Sequence, residues 1–222
     1  MSATIIIVAI TALISFIGFS SQQIINALIF NPYTIKRNFQ WYRFVSHGIL
    51  HGDIPHLAFN MIALYSFGQM VEMHAFGSYC VFDSKATIFF IVLYVTALVV
   101  SSIPSYLKHQ NNTNYNALGA SGAVSAVIFA GITLLPQLPI RFMFIPIDIP
   151  GIVFGVVYLA VSAYLDKKGN SNIGHSAHFW GAVYGVLFTF ISISLFGKMN
   201  VLNNFIQQLQ AMPSIVPFDC NL

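Results

Sequence analysis

Charged side chains are scarce in this chain: Asp, Glu, Lys and Arg together make up 7% of its 222 residues, where a soluble domain carries about 25%. So few cannot cover a water-facing surface, and that excludes an ordinary soluble domain. The nine basic and six acidic residues are spread thinly, with no basic cluster for nucleic acid and no charged docking tail. Cysteine is nearly absent too. Cys80 and Cys220 do not make a disulfide framework, and both are expected to be free thiols. The N-terminal apolar run has no basic n-region and no clear small-x-small cleavage site. It is therefore expected to be a first spanning helix rather than a cleaved signal peptide.

What the chain does have is apolar sequence along its whole length: 57% of residues are hydrophobic, with a mean hydropathy of +0.76. One buried core does not account for a pattern that global, whereas a bilayer does. About 20 apolar residues span the hydrocarbon as a helix, and six such runs occur, at about 3–20, 55–75, 86–107, 117–135, 147–165 and 173–196. The first extends apolar character toward Phe30. The longest connection, 31–54, is aromatic and basic and reads as interfacial. Residues 108–116 (KHQNNTNYN) are strongly polar and must reach water, 136–146 hold three prolines, and 166–172 (DKKGNSN) form a short turn. The expected fold is all-α, a polytopic six-helix bundle. Residues 1–222 form one domain, with a core at about 41–196 and a tail at 197–222.

Small residues mark where helices can meet closely. Gly181 and Gly185 on the sixth run form G-x-x-x-G, and Gly119, Gly122 and Ala126 cluster on the fourth. Polar groups inside spans are costly and tend to be functional. Four need explaining: His56 and Asn60 on the second run, Ser121 on the fourth and His178 on the sixth. Singly, each has a plain structural reading, because a membrane serine commonly bonds its own helix backbone and a histidine can bridge helices. Together they share a layer. The second, fourth and sixth spans run in the same direction, so their starts lie on one side. At 1.5 Å per residue, Ser121 and His178 each sit roughly 5–8 Å below a helix start.

Leu118-Gly119-Ala120-Ser121-Gly122 puts the serine at a helix entrance flanked by glycines. There the first backbone N–H groups lack intrahelical partners and can stabilise an oxyanion. Ala123 occupies the last glycine position of G-x-S-x-G, so this is not the soluble-hydrolase elbow.

At these residues the chain resembles the rhomboid family of intramembrane serine proteases, over about residues 41–190. Gly119-Ala120-Ser121-Gly122 fits the family's G-x-S-G, which implies Ser121 as nucleophile. Ala177-His178 through Gly181 to Gly185 fits A-H-x-x-G-x-x-x-G, implying His178 as base. His56 through Asn60 fits H-x-x-x-N, implying an oxyanion hole completed by the Ser121 backbone amide. His51 falls where the family often has another histidine. Phe67-Gly68 and Glu72 match a further F-G…E run of structural character, and Tyr42-Arg43 stands where Trp-Arg is common. One position departs. Many bacterial members carry a tyrosine four residues after the nucleophile, stacked on the histidine, and here that residue is Ser125. Trp180 is one aromatic available as a substitute.

The resemblance implies a Ser121–His178 dyad with no cofactor, hydrolysing a peptide bond in or near a transmembrane segment of another membrane protein. No acidic residue offers itself as a third member: Asp53, Asp83, Asp148 and Asp166 lie at helix ends or in loops. Gly119, Gly122, His51, Ser125 and Trp180 are supporting candidates, and the partners are membrane-protein substrates and lipid. The family implies a bacterial inner membrane with the N-terminus in the cytoplasm and the site facing outward. That arrangement puts Lys36, Arg37, Arg43, Lys108, Lys167 and Lys168 outside, against Lys85, Arg141 and Lys198 inside, and the positive-inside rule favours the reverse. Two other readings stay open. His47, His51, His56, His175 and His178 could serve a transporter or metal-binding protein, although H-E-x-x-H is absent. An inactive relative that binds membrane clients is the other, although such relatives typically lack the serine or histidine.

Overall fold

The computed structural model describes residues 2–142, 145–168 and 174–220. Six longer helices answer the six apolar runs: α1 (Ala3–Phe19), α5 (Ile54–Gln69), α6 (Ala86–His109), α7 (Ser121–Leu134), α8 (Gly151–Lys168) and α9 (His175–Phe196). α5 continues through a widened π-turn, Met70–Ala75. Among the described residues, two helical stretches are long and apolar enough by length and composition to cross a membrane, Asp83–His109 and His175–Phe196. α1 and α7 are apolar but shorter, at 17 and 14 residues.

The interfacial connection is itself helical, as α2 (Gln22–Leu28), α3 (Pro32–Asn38) and α4 (Arg43–Ser46). α1 stops at Phe19 because Ser20 and Ser21 break it, and the Ser21 hydroxyl caps α2. Arg43, 6% exposed, holds this region from inside. Its guanidinium donates to the carbonyls of Asn26 and Ile29 at 3.0 and 2.7 Å and to Gln40 Oε1 at 2.7 Å. A cation at a helix C-terminus offsets the negative end of the dipole.

Two expectations are corrected. The fold is not wholly helical, since β1 (Pro139–Phe142) and β2 (Ile145–Pro150) form an antiparallel hairpin with Ile140 opposite Ile149. The prolines deny the backbone donors a helix needs, so α8 begins at Gly151 rather than near 147. Nor are the cysteines free: Cys80 and Cys220 are disulfide-bonded, with Cα atoms 4.9 Å apart. The tail folds back as α10 (Val201–Gln210) and meets the loop after α5, a contact 140 residues apart in sequence. Of the expected turn at 166–172, residues 169–172 lie outside the described residues.

α7 is the central element, buried from Gly122 to Leu134. Its closest neighbour is α9, and glycine is the reason. A Cβ on Gly181 would collide with the Gly122 carbonyl, and one on Gly185 with the Ala126 carbonyl. Small residues thus let the two backbones touch. At the other side of the bundle Glu72, 1% exposed, anchors α1. Its carboxylate accepts from the backbone N–H groups of Ala3 and Thr4 at 2.8 and 2.9 Å and from the hydroxyls of Thr4 and Thr87 at 2.7 and 3.0 Å. The structural character expected of Phe67-Gly68 and Glu72 matches this anchorage.

Candidate active site

The N-terminal turns of α5, α7 and α9 open onto one cavity of about 1030 Å³, lined by Ser121, His178, His56, Asn60, Gly119 and Gly122 among others. The α7–α9 glycine contact brings the first two together. His178 lies one helical turn before Gly181, and Ser121 lies directly before Gly122. The carbonyl of Ala177 comes within 3.3 Å of where a Cβ on Gly122 would sit.

The approach to Ser121 is fixed by the backbone. Phe30 and Ala117 exchange two N–H···O bonds at 3.0 Å, and the Gly119 N–H donates to the His47 carbonyl at 3.0 Å. Gly119 adopts φ +120°, a region open to glycine and costly for other residues. A Cβ there would also press within 2.8 Å of the His56 ring. Ala120 at the N-cap of α7 makes no side-chain hydrogen bond to the first amides. Gly174, before α9, makes none either. Alanine is a poor N-cap, so the first amides of α7 receive no side-chain partner at this point, beside the serine.

His56 is seated by Asp53, whose carboxylate accepts its backbone N–H at 2.7 Å and caps α5. Asn60 uses one amide proton on the His56 carbonyl, at 3.0 Å, and its NH₂ group has a second. His51 does not line the cavity. It stands behind His56, rings 4.9 Å apart and edge to face. Its Nδ1 lies 3.0 Å from Ser15 Oγ, which also donates to the Ile49 carbonyl. The serine has one proton, so Nδ1–H is the donor of the histidine pair. His47 Nε2 meets Ser102 Oγ at 3.1 Å. Burial pushes His47 down to about 4, and burial, helped by neighbouring His56, does the same to His51. Both are neutral struts near neutral pH.

No three His, Cys, Asp or Glu residues gather as a metal site among the described residues. Asp53 caps α5, and Asp148 pairs with Arg141 across the hairpin at 2.8 Å.

The residue that sequence reasoning missed is Tyr158 on α8. Ser125 is too short to reach His178 as a ring would, and Trp180 is 43% exposed, paired edge-on with Phe179. Instead the Tyr158 ring stacks on His178, with centroids 6.2 Å apart and planes at 28°. Its hydroxyl meets Ser125 Oγ at 2.5 Å. An aromatic on an apolar span looks like any lipid-facing residue, and only the unfilled position 125 hinted that a ring must come from elsewhere.

A rhomboid domain profile matches residues 38–195. The chain belongs to the rhomboid family. The family implies a polytopic membrane fold, and relatives include rhomboid proteases. The chain is 32% identical over 148 residues to "Rhomboid protease GluP" of Bacillus subtilis, covering 66% of this chain and 25% of that protein. It is 28% identical over 151 residues to "RHOMBOID-like protein 12, mitochondrial" of Arabidopsis thaliana, covering 64% and 44%. The chain thus spans less than half the length of these two. With "Rhomboid protease GlpG" of Haemophilus influenzae the match is 27% over 197 residues, covering 86% of this chain and 91% of that protein.

Proposed function

We propose that this rhomboid chain is an intramembrane serine endopeptidase with six membrane-spanning helices, α1, α5, α6, α7, α8 and α9. The observation that carries the proposal is that Ser121 and His178 line one cavity at the uncapped starts of two helices docked glycine to glycine. α7 has 14 residues and is about 21 Å long, short of a hydrocarbon core of roughly 30 Å. Its start is therefore recessed, and water reaches Ser121 through the cavity rather than from the surface.

In the reaction Ser121 Oγ attacks the scissile carbonyl as His178 takes its proton. His178 then gives that proton to the leaving amine, and a water repeats the sequence on the acyl-enzyme. The negative oxygen is held by the Ser121 amide, the free Asn60 amide proton and His56. The substrate is a membrane-protein segment whose helix unwinds beside the cavity, since a hydrogen-bonded helix does not present its carbonyl carbon to a nucleophile. No cofactor takes part.

The direct test is cleavage of a model transmembrane substrate by purified protein, with the cut mapped by mass spectrometry. Cleavage is expected from the native chain and none from S121A or H178A of equal thermal stability. A folded S121A protein that still cuts would overturn the proposal. A native protein that binds the substrate without cutting it would favour the client-binding reading.

For sidedness we take the outward-facing site that the family implies, in the inner membrane of a bacterium. The Cys80–Cys220 pair, at the end of the bundle away from the cavity, then faces the cytoplasm, where thiols are ordinarily kept reduced. A disulfide is unusual there, so the bond in the structure and the charge bias both favour the opposite orientation. Rapid alkylation of growing cells decides: cysteines recovered as thiols support the outward-facing site, and a disulfide recovered from unstressed cells supports the reverse.

A further inference from the structure

Ser125 and Tyr158 form a two-residue device that spans two helices. The Ser125 hydroxyl donates to the Ser121 carbonyl at 2.8 Å. That commits its single proton, so at 2.5 Å Tyr158 must be the donor and Ser125 Oγ the acceptor. The Tyr158 ring is also flanked by Phe129 and Phe154, at centroid distances of 5.6 and 5.5 Å. Phe129 and Phe154 thus pack against the ring while Ser125 holds its hydroxyl, and His178 stacks on it at 6.2 Å. Offset aromatic pairs are favourable over 4.5–7 Å. The attraction grows when the partner becomes a cation, as His178 does on taking the serine proton.

We infer that Tyr158 is the positioning residue for His178, orienting the imidazole toward Ser121 from α8, with Ser125 fixing Tyr158 in turn. This rests on the reading of His178 as base. A serine four residues after the nucleophile is therefore not a loss of support. It is the acceptor that allows a neighbouring helix to supply the ring. Backbone of the nucleophile, Ser125, Tyr158 and the base are joined in one circuit, and its benefit is largest when His178 is charged. Removing the ring should accordingly lower kcat and spare KM.

The test uses the full chain in detergent or vesicles, with rates expressed per folded molecule. Y158L should lower kcat by ~10–100-fold, the scale of a misplaced catalytic group, with KM unchanged. Y158F, which keeps the ring, should recover most of that loss. S125A should match Y158F, and the S125A/Y158F pair should be no worse than either alone, because both remove one hydrogen bond. Moving the ring to α7, in S125Y/Y158L, should restore activity over Y158L. A Y158L protein with native kcat would overturn the inference, as would kcat and KM changing together with no recovery in Y158F. A second readout does not depend on cleavage. In histidine-labelled protein the His178 imidazole NMR signals should move in Y158L and S125A, and not in Y164F, at the exposed end of α8. If the native chain does not cut but these signals respond, the protease reading falls and the positioning role stands. Unmoved signals sink the positioning role alone.

Discussion

At its C-terminal end α7 passes the carbonyl of Leu134 to Asn204 Nδ2 at 3.0 Å. Around that end Gln208 donates to the Val216 carbonyl at 2.8 Å, Gln137 bonds Gln208, and the disulfide ties the tail to the loop after α5. At its N-terminal end the same helix starts on Ala120, with no side-chain cap. Five other helices are capped by side chains, Ser2, Ser21, Asn31, Asp53 and Asn200 accepting from the first turns of α1, α2, α3, α5 and α10, while α4 and α6 are not. The two helices that carry Ser121 and His178 are not capped in this way. Burying polar groups without partners costs stability, so one end of the bundle is where stability is concentrated. The other leaves amides without a side-chain partner, the groups that the proposed mechanism assigns to the oxyanion.

That contrast can be broken from either end. Outside the dyad, the largest effect on activity should come from Gly119→Ala at the open end. It places a Cβ against His56 on a φ of +120°, so the thermal midpoint should fall, and kcat per folded molecule should fall on the order of 100-fold. A native kcat would mean that the glycine is not needed for the site. At the sealed end Glu72→Ala strips the partners from two amides and two hydroxyls. It should destabilise by roughly 3 kcal/mol while cleavage per folded molecule stays native. Asn204→Ala should act alike but more weakly, at about 1 kcal/mol. A kcat loss in either, at a temperature where the protein is folded, would show that the two ends are not independent.

Much of this division was legible in the sequence. The six apolar runs match six helices closely, because a bilayer-length apolar run is a strong local signal. The G-x-x-x-G of Gly181 and Gly185 indicated the close contact that α9 makes with α7. Gly119, Gly122, His56 and Asn60 line one cavity with Ser121 and His178. What escaped was set by distant partners. Pairing of Cys80 with Cys220 depends on where the tail folds, and the 139–150 hairpin depends on prolines that read only as a break. Tyr158 could not be read at all, since nothing in its neighbourhood on α8 distinguishes a residue that stacks on His178 from one that faces lipid.

The central claim is that Ser121, at the open end of α7, is a nucleophile activated by His178. Labelling the folded chain with a fluorophosphonate and mapping the modified peptide tests it most directly. A single adduct on Ser121, lost in S121A and strongly slowed in H178A, is the predicted result. An adduct on another residue, or labelling of Ser121 at the same rate without His178, would contradict it.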